Sequence, residues 1–132
     1  MKISLAANLP MSENSVLLVE DNSNLRDSLQ LFLDVLGVSY TSAEGGDEAI
    51  RILEKNRFEI LITDLRGART DGVKLLKWCR ENAHTNPIIL VSAQSDMSDG
   101  ERVALSDSHA ILLRKPIDIL ALERALQSAH DL

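Results

Sequence analysis

The sequence predicts an α/β fold in which five parallel strands form one doubly wound sheet, ordered 2-1-3-4-5, with helices on both faces. Three observations predict it. Five short runs rich in Val, Ile and Leu recur along the 132-residue chain. Segments with the apolar spacing of helices separate them. Most of the runs are almost continuously apolar, as strands covered on both faces must be. Strand, helix, strand repeated in this way implies right-handed crossovers and a parallel sheet, and 2-1-3-4-5 is the common order for a five-stranded one.

The first run is "VLLVED" (16–21), followed by "VSYTSAE" (38–44), "FEILITD" (58–64), "PIILVSA" (87–93) and "HAILLRK" (109–115). Between the first two, Leu25, Leu29, Phe32, Leu33 and Leu36 share one helical face and Gly37 supplies a C-terminal stop. Ala49, Ile50 and Leu53 mark a second helix, Val73, Leu76 and Cys79 a third, and Ile119, Leu122 and Leu126 the last. The segment 97–107 is the weakest helix of the set, because Gly100 interrupts it and only Val103, Ala104 and Leu105 give it apolar weight. Asp71 before Gly72 reads as an N-cap for the third helix. Residues 1–14 carry one lysine, a short apolar patch and Pro10. They are expected to be a disordered leader, with Met11 as an alternative start, ahead of a single domain over 15–132.

Composition narrows the function. Hydrophobic residues at 45% and charged residues at 26% describe a soluble globular domain. A net charge of −6, with aromatics at only 3%, argues against direct nucleic-acid binding, which needs basic surface and stacking rings. No apolar run reaches the ~20 residues of a membrane span. The single cysteine, Cys79, has no partner for an internal disulfide and sits in no zinc-ligand spacing. A cytoplasmic location is expected. His84, His109 and His130 lie scattered without metal or triad spacing.

The chemistry gathers at strand ends. In the predicted strand order the topological switch lies between strands 1 and 3, and ligands bind beyond the carboxyl ends of those strands. Strand 1 ends in Glu20 and Asp21, and strand 3 in Asp64. Carboxylates within ~4 Å of one another repel by several kcal/mol per pair at an effective dielectric near ~20, and a divalent cation removes that repulsion. Oxygen ligands from only three side chains suit Mg²⁺, which keeps waters and shares its coordination with phosphate. Ser92, at the end of strand 4, offers a hydroxyl to a phosphoryl oxygen, and Ala93 beside it is small enough for close approach. Lys115, at the end of strand 5, offers a compact positive charge, and Pro116 fixes the backbone after it. A carboxylate can itself accept phosphoryl as a mixed anhydride, with catalysis resting on positioning and charge neutralisation.

From about Val16 onward the chain resembles the receiver domain of bacterial two-component response regulators, which are CheY-like and flavodoxin-like in fold. The likeness rests on "VEDN", "ITDLRGARTDG", "VSA" and "RKP", in the family's order and near its spacing. The resemblance implies that Asp64 accepts phosphoryl from a sensor histidine kinase or phosphotransfer protein. It also implies that Glu20, Asp21, Asp64 and the carbonyl of Arg66 hold Mg²⁺, that Ser92 reads the phosphoryl oxygens, and that Lys115 pairs with Asp64 and then with phosphate. Phosphorylation would reshape strands 4 and 5 and the helix between them, which a downstream target, an output domain or a second copy in a homodimer would sense. Such a module is not an enzyme; it catalyses only its own phosphorylation and dephosphorylation. Only one helix follows Lys115, so no output domain is expected within the chain.

Departures from the family pattern are specific. Gly67 and Ala68 stand where many relatives have Met-Pro, and Leu112 replaces the usual switch Tyr or Phe. They leave open an alternative, a docking or dimerisation module that works without phosphorylation. A haloacid-dehalogenase-like phosphatase would need an acid two residues after the nucleophile, where this chain has Arg66, and a nucleotide enzyme would need a phosphate-binding GxxxxGK[ST] loop, which is absent. "GGDEA" (45–49) resembles a cyclic-dinucleotide cyclase signature but opens a helix and lacks the following phenylalanine. Arg66 is close enough in sequence to Asp64 to reach a phosphoryl group there and change its lifetime. Arg66→Ala is therefore expected to alter the decay rate of the phosphorylated protein, followed by phosphate-affinity electrophoresis, and an unchanged half-life excludes that role.

Overall fold

The computed structural model describes residues 15–64, 72–82, 84, 86–92 and 110–131. Within them lie strands β1 (Val16–Val19), β2 (Tyr40–Ala43), β3 (Ile60–Asp64), β4 (Ile88–Ser92) and β5 (Ala110–Arg114). The described helices are α1 (Ser23–Leu36), α2 (Gly46–Leu53), α3 (Gly72–Glu81) and α4 (Ile119–His130). The strands form one sheet in the order β2-β1-β3-β4-β5, and every adjacent pair is parallel. The predicted leader 1–14, the helical segment 97–107 and the Asp71 cap lie outside the described residues.

Each predicted run contains its strand, but the runs are longer than the strands. Val38 and Ser39 precede β2 because the chain is still leaving α1. Gly37 adopts φ 76°, the left-handed region that glycine enters without a Cβ clash, and the Val38 N–H bonds back to the Leu33 carbonyl at 2.9 Å. At the other end of α1, Asn22 caps the helix by accepting from the Leu25 N–H at 2.9 Å. Asp118 does the same for α4, accepting from Ala121 at 2.7 Å. In α2 the Glu48 carboxylate reaches back to the Glu44 N–H at 3.1 Å, and it sits with Asp47 at the positive end of the helix dipole.

Alternation along the strands divides the core in two. Val16 and Leu18 of β1, with Ile60, Ile62, Ile89 and Val91, face α1 and α4, where Leu29, Leu33, Leu122 and Leu126 cover them. Leu17 and Val19, with Leu61, Ile88 and Leu90, face α2 and α3, where Ala49, Leu53, Leu75 and Cys79 cover them. Strands β1, β3 and β4 are buried throughout. The two outer strands, β2 and β5, are buried at only one position each, as strands with a single neighbour should be. Burial also pushes the Cys79 thiol up to about 11, so it stays protonated as a small core side chain.

A truncation pair tests this division. Leu33 is fully buried whereas Leu31, two residues earlier, is 59% exposed. Leu33→Ala is expected to lower the unfolding free energy by about 2–5 kcal/mol, and Leu31→Ala to change it by less than ~0.5 kcal/mol, as read from urea denaturation midpoints.

Candidate functional site

The register of the sheet assembles the site. Val19 pairs with Thr63, so the next residues, Glu20 and Asp64, stand level on neighbouring strands. Asp64 pairs with Val91 and Val91 with Leu113, which sets Lys115 two residues above the level of Asp64. Two residues is an even step, so Lys115 returns to the face of the sheet that Asp64 occupies, and about 6–7 Å of strand rise separates them. The long lysine stem spans that rise. Its Nζ donates to Asp64 Oδ2 at 2.6 Å. The Lys115 N–H donates to the Ser92 carbonyl at 2.8 Å, tying the ends of β4 and β5 together. Ser92 itself is fully buried.

Two of the acids are buried: Glu20 is 1% exposed and Asp64 2%. Glu20 Oε2 accepts from the Asn22 N–H at 3.0 Å, while Oε1 is buried without a hydrogen-bond partner. Burial pushes the Glu20 carboxyl up to about 7; the Asn22 N–H opposes the shift, and the charge of Asp64 and a hydrogen bond with it add to the rise. A carboxylate cannot donate, so that hydrogen bond exists only when one of the pair carries a proton. With both ionised, Oε1 is left an acceptor with nothing to accept. Lys115, whose positive charge draws the Glu20 value back down, is already bonded to Asp64.

Asp21 follows Glu20 at the same sheet edge and is half-buried. Among the described residues no three carboxylate, imidazole or thiol groups close on one point, so there is no ready-made metal cage. Glu20 and Asp64 are close enough to share a hydrogen bond. An orphaned buried acceptor beside a second carboxylate nevertheless fits a hard divalent cation of the Mg²⁺ kind, which takes few protein ligands and completes its shell with water. Arg66, Gly67, Ala68 and Ala93 lie outside the described residues. Leu112 is half-buried on β5 and packs against the α2/α3 side of the core. Trp78 is half-buried and its ring lies 4.9 Å from that of His84, just before β4, at the opposite edge of the sheet from the acids.

Sequence reasoning missed one residue here. Arg26, in the second turn of α1, donates from Nη1 to the Glu20 carbonyl at 2.8 Å. Its Nη2 lies 3.8 Å from Glu44 Oε1, just past β2. The available signal was a lone cation one helical turn beyond an acid pair, in a helix whose apolar face is otherwise made of Leu and Phe.

Five parallel strands in this order, with acids at the switch point and a lysine reaching down from β5, define a doubly wound, flavodoxin-like α/β domain. The response regulator receiver domain profile matches residues 16–127, and the chain belongs to that family. It is 32% identical over 116 residues to the transcriptional regulatory protein GlrR of Escherichia coli K12, covering 88% of this chain and 26% of GlrR. The chain thus spans about a quarter of the length of that relative. The crystal structure of a response regulator receiver protein from Pseudomonas putida is 29% identical, with a TM-score of 0.75 over 88% of this chain and 97% of the other. A CheY-like receiver domain protein from Methanospirillum hungatei shares the fold with a TM-score of 0.80 at 20% identity, over 91% of this chain and 95% of the other. No described helix is long and apolar enough to cross a membrane.

The Glu20 shift has a signed consequence for stability without divalent cations. The folded protein holds the Glu20 proton to about pH 7, whereas the unfolded chain releases it near 4.5. The folded state therefore binds more protons between those values, and stability falls as pH rises through that window, by up to ~3 kcal/mol. Thermal melts in chelator are expected to show this decline between about pH 5 and 8. Glu20→Gln is expected to flatten it and to exceed the parent in melting temperature at the upper end.

Proposed function

We propose that this receiver domain is a phosphorylation switch whose acceptor is Asp64. A carboxylate oxygen of Asp64 attacks the phosphorus of a phosphohistidine on a sensor kinase or phosphotransfer protein. The P–N bond breaks, the imidazole leaves and takes up a proton, and an acyl phosphate remains on Asp64. The observation that carries this reading is the 2.6 Å contact of Lys115 with a buried Asp64, beside a second buried acid with an orphaned oxygen.

The residues divide the work. Asp64 is held at the end of a fully buried strand, which fixes the nucleophile and excludes most water. Lys115 pairs with it before transfer and is near enough to pair with the added phosphoryl group afterwards. Ser92 carries a hydroxyl at the end of the next strand, suited to a phosphoryl oxygen. Glu20, Asp21 and Asp64, joined by the carbonyl of Arg66 by family resemblance, would hold Mg²⁺. Bound there, the ion would neutralise the charge of the phosphoryl oxygens.

The hydrogen bond from the Lys115 N–H to the Ser92 carbonyl gives the change a route outward. When the ammonium follows the new phosphate, the ends of β4 and β5 move with it, and the surface they support is what a target or output domain reads. The reading places the domain in the cytoplasm, facing a kinase on one side and a downstream partner on the other. It acts as a self-modifying switch with no other substrate.

Incubation with acetyl phosphate and Mg²⁺ tests the proposal by intact-protein mass spectrometry. The parent is expected to gain one phosphoryl group and Asp64→Ala none. A folded parent that stays unmodified overturns the reading in favour of a docking module.

A further inference from the structure

The acids at the sheet edge hang from the turn between β1 and α1, and that turn is held from both ends of one residue. The Glu20 N–H donates to the Ala43 carbonyl of β2 at 3.0 Å. The Glu20 carbonyl accepts from Arg26 Nη1 at 2.8 Å. The Arg26 side chain is only 17% exposed, so this charge-assisted bond works where water competes weakly. The direction of a side chain follows from the peptides that flank it, and the peptide bonded to Arg26 is the one that joins Glu20 to Asp21.

We propose that Arg26 is a positioning residue for the divalent-cation site. By fixing the Glu20–Asp21 peptide, it sets the directions of both carboxylates before the ion arrives. The inference rests on the reading that this edge holds a divalent cation, and adds to it a residue that touches neither the ion nor the phosphoryl group. A cation placed near a cation site would ordinarily weaken it by repulsion. Here the Glu44 carboxylate lies 3.8 Å from the same guanidinium and offsets its charge. Preorganisation therefore outweighs repulsion, and removing Arg26 weakens binding instead of strengthening it. The fork of arginine suits the task because one nitrogen serves the carbonyl while the other faces the carboxylate.

Binding of Mn²⁺ alone, followed by the electron paramagnetic resonance signal of the free ion, tests this without any phosphodonor. Arg26→Met keeps the half-buried stem but cannot donate, and is expected to bind about tenfold more weakly than the parent. Arg26→Lys can still donate to the Glu20 carbonyl and is expected to stay within about threefold. Glu44→Gln leaves the carbonyl bond intact but removes the charge that offsets the guanidinium, and is expected to bind more weakly than the parent by a smaller factor than Arg26→Met. Circular dichroism of each variant checks that it is folded, and the lysine variant keeps the test decisive if the methionine variant does not fold. Arg26→Met binding as tightly as the parent, or Arg26→Lys binding ten times more weakly, overturns the positioning role alone. A folded parent that binds no Mn²⁺, or whose binding survives Asp64→Ala, overturns the cation reading and this inference with it.

Discussion

Two carboxylates buried side by side, with one ammonium between them and solvent, constrain everything else at this end of the molecule. Glu20 and Asp64 occupy neighbouring strand ends with almost no exposure, and ionising both is unfavourable without further positive charge. Lys115 satisfies Asp64. Glu20 resolves the conflict by holding a proton to about pH 7 and by taking the Asn22 N–H on one oxygen. Such an arrangement persists only where the surrounding structure holds it in place. Here three fully buried strands supply that rigidity, so the strain falls on protonation, not on the backbone.

Much of the fold was legible because burial on both faces leaves an unambiguous mark. The runs at 16–19, 60–64 and 88–92 are apolar at nearly every position, and they are the central strands. The β2 run is more polar, with Tyr40, Thr41 and Ser42 half-buried, and its start was misplaced by two residues. The cause is the left-handed exit of α1 through Gly37, which keeps Val38 bonded to the helix and out of the ladder. Local apolar content cannot distinguish a buried residue in a helix exit from one in a strand.

Glu20, Asp64 and Lys115 were legible for a different reason. A charge directly after an apolar run must sit at a strand end, and the strand order then decides which ends are neighbours. Arg26 left only a weak mark, as the lone cation of its helix, because it bonds to a backbone carbonyl, and carbonyls carry no sequence signal. The strand ends bring Glu20 and Asp64 side by side, and among the described residues no group of three acids, imidazoles or thiols closes on one point.

The two-residue stagger of β5 over β3 makes the site sensitive to length as well as to charge. A strand is a ruler with marks on alternate sides. Adding or deleting a single leucine within β5 would leave the net charge unchanged, yet carry the ammonium to the wrong side of the sheet. Spacing between the last core side chain of that strand and its terminal amine is therefore as much a part of the chemistry as the amine.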